Sequence, residues 1–484
     1  MLNLKRRDVF REQCYVNGEW CDAVDQTTVT VINPATGEVI GTVPDMGATE
    51  TRRAIESANI AWSKWRTMTA KQRANILRCW FDLMITHSDD LALIITCEQG
   101  KPIAEARDEI AYAASYLEWY AEEGKRAYGD TIPTNSSDKR MIVINEPIGV
   151  CAAITPWNFP SAMIIRKAAA ALAAGCPMVV KPAPQTPYSA LALAVLAEEA
   201  GVPPGVFSVV TGSASKIGGE MTSNFMVRKV SFTGSTEIGR LLLQQGASTV
   251  KKMSMELGGN APFIVFEDAD LDAAVEGAII SKYRNAGQTC VGTNRIYVHK
   301  NIYKKFADKF VAAVRLLKVG NGMDLGVTVG PLIDNAAVEK VQEHIEDAIA
   351  KGCRVLAGGK THTSGQNFFE PTVLADAVAS MKVAKEETFG PVAPLFSFSS
   401  DEEVIAMANN TEFGLAAYFY SRDIGRVWRV AEALEYGMVC INSGILSNAA
   451  APFGGMKQSG LGREGSHYGL DDYLVIKYLN IGGI

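Results

Sequence analysis

From residue 47 to 125, apolar residues recur every three to four positions. That spacing predicts three helices, over 48–65, 70–88 and 103–128. Residues 140–145 (R-M-I-V-I-N) then alternate and predict a strand. From Gly149 the rhythm changes. Apolar runs at 150–154, 178–180, 207–210, 229–232 and 263–266 predict strands, with helices between them at 162–174, 188–200, 214–222 and 237–245. Pro187 at the start of the second helix and Gly201 just past its end punctuate it. Strands about thirty residues apart with helices between them describe βαβ units and a parallel sheet. The predicted class is α/β, doubly wound, of the kind that binds nucleotides.

After Gly258-Gly259 a second α/β series begins. Asp270 is predicted to cap a helix over 271–285, and 295–299 to form a strand. Asn301 is predicted to cap a helix running to 317. Residues 473–479 alternate as a final strand. Like 140–145, that strand lacks a local partner, and pairing across a subunit interface is expected.

Composition narrows the function. At 484 residues the chain is expected to divide into two or three domains. Its 48% hydrophobic and 21% charged content is that of a globular protein. The net charge of −6, with no basic stripe, gives no reason to expect nucleic acid. The nine cysteines contain no C-x-x-C, and the five histidines show no ligand spacing, so no metal is expected. The longest apolar run, 168–180, is too short to span a membrane. The start lacks the apolar core of a secretory signal, and a cytoplasmic protein is expected.

Chemistry gathers at the predicted strand ends, where open parallel sheets bind ligands. Phe232 to Gly239 follows a strand and opens a helix, an arrangement suited to a phosphate. It is neither the usual dinucleotide fingerprint nor a P-loop, and it also reads as a tight turn. Asn158 and Lys181 end two further strands. They are candidates for an oxyanion donor and a ribose or phosphate contact, or for a turn asparagine and a solvated lysine. Glu256 precedes a glycine pair and an apolar run. A buried carboxyl there has a raised pKa and is a candidate general base. Cys290 follows thirty-four residues later among polar residues, unlike a packed structural cysteine, and its surroundings are expected to keep it reachable. Cysteine and glutamate without a clustered histidine point to covalent catalysis with water as second reactant.

Seven segments in order carry a resemblance. They are P-W-N-F-P (156–160), K-P-A-P-Q-T-P (181–187), F-T-G-S-T-E-I-G (232–239), E-L-G-G-N (256–260), G-Q-T-C (287–290), E-E-T-F-G-P (386–391) and P-F-G-G-x-K-x-S-G-x-G-R-E (452–464). With them the chain resembles the NAD(P)-dependent aldehyde dehydrogenase superfamily over essentially its whole length. Residues 260–278, 283–290, 411–423 and 460–469 resemble the succinate-semialdehyde dehydrogenases within it.

The resemblance implies a Rossmann-type cofactor domain (1–125 and 147–257) and an α/β catalytic domain (258–445). It also implies a small β oligomerisation element (126–146 and 468–484), with 446–467 returning to the cofactor domain. It implies Cys290 as nucleophile and Glu256 as the base that activates water. Asn158 and the Cys290 N–H would form the oxyanion hole, with Lys167 and Glu464 in proton relay. Lys181 and Glu387 match ribose contacts and Ser235 a pyrophosphate contact. Trp157 would line the cofactor site with Thr155, Pro156, Pro184, Gly234, Gly239, Leu257 and Phe389. Arg166, Arg284 and Ser447 match the residues that hold a distal carboxylate. The implied reaction is addition of thiolate to an aldehyde, hydride loss to NAD or NADP, and hydrolysis of the thioester. A homo-oligomer, dimer or tetramer, is implied.

Two positions depart from the nearest relatives. Gly292 stands where many carry a second cysteine, which removes a local disulfide. The loop 447–450 reads S-N-A-A where a glutamate is frequent, which leaves the substrate open. Succinate semialdehyde is the leading expectation, with glutarate semialdehyde and sulfolactaldehyde as alternatives. Pro184 stands where NAD-preferring members place a ribose-binding glutamate, so NADP is expected to be accepted alongside NAD. A CoA-acylating enzyme is disfavoured by Glu256, and a non-catalytic binding protein by the joint presence of Cys290 and Glu256.

Overall fold

The computed structural model describes residues 3–484. Its largest sheet has eight strands, in the order Gly460–Leu461, Lys252–Glu256, Val227–Thr233, Val150–Ile154, Met178–Lys181, Phe207–Val209, Cys14–Val16 and Glu19–Cys21. The five from Lys252–Glu256 to Phe207–Val209 run parallel. Val150 to Ala153, Met178–Lys181 and Phe207–Val209 are buried throughout, because helices cover both faces of the sheet. Asn17-Gly18, with φ of 55° and 79°, turns the antiparallel hairpin at one edge. After the hairpin at one edge, the parallel strands begin with Val150–Ile154, build outward on one side, then return to build the other.

The helix Pro160–Ala174 packs against this sheet. Proline stands at its first turn, left-handed Gly175 ends it, and all fifteen residues are buried. Small alanines let it lie deep in the interior.

A second sheet of seven strands is parallel except for the antiparallel pair Arg354–Ala357 and Thr372–Ala375. Its central strands are Thr293–His299 and Ala261–Val265. A third, antiparallel sheet orders Leu474–Gly482, Lys139–Pro147 and Asp130–Ile132.

That third sheet corrects one expectation. The two strands expected to lack local partners pair with each other, Ile476 opposite Asn145, and the earlier one also pairs locally with Asp130–Ile132. No local signal marks a pairing between segments so far apart in sequence. The helix expected over 70–88 ends at Thr86, and a separate helix, Ser88–Gln99, follows and stops at left-handed Gly100. The helix expected to 128 ends at Glu123, before a short 3-10 turn. Asp270 does cap its helix, accepting from the Ala273 N–H at 3.2 Å. That helix stops at Tyr283 rather than 285, because Asn285 and Ala286 turn left-handed. Asn301 is not a cap: its helix is Tyr303–Val314, preceded by Ile302 with no side-chain cap. The strand Lys252–Glu256 was not expected; Lys252, Ser254 and Glu256 break its apolar pattern. Among the described residues no helix is long and apolar enough to cross a membrane, and no cluster is placed to hold a metal ion.

Candidate active site

Four loops leave the C-terminal ends of the parallel strands on one side of the large sheet. They begin at Thr155, Pro182, Gly234 and Leu257. The direction of winding reverses between Val150–Ile154 and Val227–Thr233, which opens a crevice there.

The crevice carries one set of the expected residues. Lys181 is buried and donates from Nζ to the Pro182 carbonyl at 2.9 Å, and burial pulls its ammonium down to about 8. The Thr155 hydroxyl is buried without a protein partner. Ser235 caps the helix Thr236–Gly246, its hydroxyl accepting from the Ile238 N–H at 3.4 Å. Gly234 precedes that cap. Gly239 packs so tightly on Leu257 that a Cβ would stand 2.5 Å from it. Trp157 and Phe389 meet edge to face, 5.7 Å between centroids. Glu387 accepts from the Gly259 N–H at 3.0 Å; burial raises its carboxyl to about 7, against the pull of buried Lys282. Pro156 is half-buried and Pro184 exposed. A partnerless hydroxyl, a desolvated ammonium and a helix start fit the ribose hydroxyls and phosphates of a dinucleotide.

The second set faces a cavity of about 580 Å³, which Cys290, Arg166, Arg284 and Ser447 line together. Gly287, at φ +77°, sets the loop before Cys290. A Cβ there would stand 2.1 Å from the Gly390 carbonyl oxygen. The expected polar surroundings of Cys290 are a correction. The thiol is half-buried, and Phe159, Met163, Ile279, Leu317 and Phe453 make most of the wall apolar. Burial pushes the thiol up to about 12, and the charge of Arg166 pulls it partly back.

The two arginines are not equivalent. Arg166 is buried, its Nη2 2.6 Å from Glu464 Oε2 and its guanidinium 3.9 Å over the Phe453 ring. Lys167 reaches the other Glu464 oxygen and donates to Thr233 Oγ1 at 2.6 Å. Burial raises Glu464, but Lys167 and Arg166 outweigh it and hold the group below the usual carboxylate range. Arg284 is half-buried over the Phe159 ring at 5.4 Å and forms no salt bridge among the described residues.

Glu256 ends its strand 3% exposed, and neither carboxylate oxygen has a partner. Burial, reinforced by Glu464, pushes its pKa well above the ordinary range. The two neighbouring carboxyls are thus driven apart, Glu256 up and Glu464 down. Asn158 is buried and donates from Nδ2 to the Gln288 carbonyl at 3.1 Å.

Sequence reasoning missed the supports of this centre. Lys101 joins Glu109 at 2.6 Å and donates to the Asn158 carbonyl at 2.7 Å. Glu109 also accepts from the Ser161 N–H at 2.9 Å. Nothing in the spacing of Lys101 and Glu109 marks them as a buried pair. Asn285 does lie inside the stretch 283–290 that carries the resemblance, and an asparagine just before Ala286-Gly287 is a residue type suited to the left-handed turn it adopts.

Fold and centre define an α/β oxidoreductase that pairs a dinucleotide crevice with a cysteine. The chain matches the aldehyde dehydrogenase family over residues 20–479 and belongs to it. Members of that family use NAD or NADP. The chain is 66% identical to a glutarate-semialdehyde dehydrogenase of Pseudomonas aeruginosa over 100% of both chains. It is 65% identical to the succinate-semialdehyde dehydrogenase [NADP(+)] of Escherichia coli, over 99% of this chain and 100% of that one. A 3-sulfolactaldehyde dehydrogenase of Pseudomonas putida is 61% identical over 100% of both. Membership in an enzyme family removes the non-catalytic reading.

Proposed function

We propose that the chain oxidises a small anionic semialdehyde to the acid through a thioester on Cys290, with succinate semialdehyde the leading substrate. One observation carries this reading: the Cys290 thiol shares its cavity with the hydroxyl of Ser447 and the guanidinium of Arg284, which has no salt-bridge partner among the described residues. Arginine offers a carboxylate or sulfonate two parallel donors, which sets the anion at a fixed reach from the sulfur.

Cys290 adds to the aldehyde carbon, and the Asn158 amide with the Cys290 N–H stabilises the resulting oxyanion. Collapse of that oxyanion expels the hydride and leaves the thioester on sulfur; NAD or NADP, when bound, would supply the hydride acceptor. Thr155, Lys181, Glu387 and the helix start at Ser235 would hold its ribose and phosphates, with Trp157 and Phe389 walling the crevice. Glu256 takes a proton from water, and the hydroxide releases the acid from sulfur. Its two partnerless oxygens and raised pKa suit a base, and they disfavour transfer of the acyl group to CoA. Lys167 and Glu464 relay the proton onward.

Residues 1–125 and 147–257 serve as the cofactor domain and 258–445 as the catalytic one. The third sheet serves as the contact of a homo-oligomer; its outer strand Asp130–Ile132 is exposed along its length. Light scattering before and after truncation of Leu474–Gly482 tests that assignment.

Three relatives of similar identity carry three substrate names, so identity alone does not choose among them. The test is kcat/KM for the succinate, glutarate and sulfonated semialdehydes and a neutral aldehyde of equal length, each with both cofactors. A preference for the neutral aldehyde overturns the reading. For the cofactor, Pro184→Glu places a carboxylate beside the ribose. It is expected to lower kcat/KM with NADP about tenfold relative to NAD, roughly 1.4 kcal/mol. An unchanged ratio removes Pro184 from the cofactor site.

A further inference from the structure

The loop of the oxyanion donor and the loop of the nucleophile come from different sheets, yet hydride release needs them at one separation. The Asn285 side chain hydrogen-bonds to both. Asn285 is 1% exposed, and its Nδ2 donates to the Asn158 carbonyl at 2.9 Å and to the Gln288 carbonyl at 3.1 Å. Asn158 Nδ2 donates to that same Gln288 carbonyl at 3.1 Å. The three contacts close a triangle two residues before Cys290. An amide nitrogen has two hydrogens, so Asn158 keeps one for an incoming oxyanion.

Asn285 is itself held on every side. Gln99 Nε2 donates to its Oδ1 at 2.9 Å, its N–H donates to Glu105 Oε2 at 2.8 Å, and its carbonyl accepts from Gln288 Nε2 at 3.1 Å. Its backbone is left-handed (φ 53°, ψ 37°), as is that of Ala286 after it (φ 55°, ψ 29°). Two consecutive side-chain-bearing residues in that state are unfavourable and persist only where the surroundings over-determine them. Glycine would hold the turn with less strain, but it would leave two buried carbonyls without this donor. Lys101 also grips the Asn158 carbonyl, yet its other partner is Glu109, so it does not reach the cysteine loop.

We propose that Asn285 is a positioning residue: by bridging the Asn158 and Gln288 carbonyls it fixes the oxyanion donor against Cys290. The proposal rests on the reading of Asn158 as that donor. Misplacing a catalytic group by about an ångström costs on the order of a hundredfold in rate.

The test uses the full-length enzyme with Asn285→Gly, Asn158→Ala and the double variant. Stopped-flow absorbance gives the first turnover of cofactor reduction, equilibrium fluorescence gives cofactor Kd, and thermal melting gives stability. Asn285→Gly is expected to stay folded, with a melting temperature lowered by the lost buried hydrogen bonds, and to keep its cofactor Kd while the first turnover slows about ten- to a hundredfold. In the Asn158→Ala background the same change is expected to cost less than twofold, because the group it positions is gone. Asn285→Asp, of equal shape, turns a carboxylate oxygen toward the two carbonyls and is expected to be at least as slow. A first turnover within twofold of wild type in either Asn285 variant overturns the proposal. So does a loss of equal size in both backgrounds, which marks a merely structural role. If Asn158→Ala itself reacts at the wild-type rate, the oxyanion reading falls and the proposal with it; a slow Asn158→Ala beside a fast Asn285→Gly removes the proposal alone.

Discussion

Two arginines line the cavity, one at what we call its floor and one on its wall, and they are held by opposite means. At the floor Arg166 sits in a knot with Lys167, Glu464 and Thr233, every member buried. On the wall Arg284 lies half-buried across an aromatic ring, without a paired acid among the described residues. A paired buried charge spends its field on its neighbours; an unpaired one at an apolar wall keeps its field for a ligand. Arg166 pulls down the pKa of both Glu256 and Cys290, and in the proposed reaction recognition of the substrate's anion is left to Arg284.

Substitution of Arg166 by alanine should break this contrast most forcefully. It leaves Glu464 facing Lys167 alone in a dry interior, a loss of about 3–5 kcal/mol in stability. Denaturant unfolding measures it. Anionic and neutral aldehydes should suffer alike; a stable variant impaired only on anions would make Arg166 a substrate clamp after all.

Glu256→Gln probes what the floor does. The first turnover should survive, since hydride release precedes hydrolysis, while steady-state kcat drops about a hundredfold or more, within the usual range for a general base. A lost burst would mean that Glu256 acts earlier. Cys290→Ala should give neither phase while still binding cofactor.

Arg284→Ala isolates the wall. Loss of one charge-assisted contact should cost about 1.5–3 kcal/mol, roughly ten- to a hundredfold in kcat/KM on the anionic aldehyde, with melting temperature and the neutral aldehyde little changed. Equal losses on both aldehydes would dissolve the distinction between wall and floor.

The contrast also marks what could be read from the chain. Cys290, Glu256, Lys181 and Ser235 stand at strand ends or loops in motifs that carry the family resemblance, and the strand that ends at Lys181 is largely an apolar run, whereas the one that ends at Glu256 is not. Arg166 and Arg284 were legible as pocket residues because each lies near a motif, but not as unlike ones. The acid that neutralises Arg166 comes from Glu464, nearly three hundred residues later. The same limit hid Lys101 with Glu109, the Asn158–Asn285–Gln288 triangle, and the pairing of Lys139–Pro147 with Leu474–Gly482. Periodicity reports which face of an element is buried. It does not report which distant group the fold brings to that face.

The smallest effect concerns the thiol, where floor and wall act on one atom. Burial by the apolar wall raises Cys290 to about 12, while Arg166 pulls it down and Glu387 and Glu256 push it up. The sign is fixed by the raised value. Below its pKa a thiol gains about tenfold in thiolate per pH unit, and the thiolate is the nucleophile. An ordinary thiol, near 8.5, stops gaining above about pH 9. In the cofactor-free enzyme, alkylation of Cys290 by iodoacetamide should climb about tenfold per unit through pH 10 without levelling. Peptide mapping can follow it, with exposed Cys79 as an internal reference. Saturation below pH 8 would mean that the charged floor, and not the apolar wall, sets the reactivity of the free enzyme. In that case adding NAD or NADP should change the profile little. If the wall dominates, a bound cofactor that alters the surroundings of the sulfur should shift the whole curve along the pH axis.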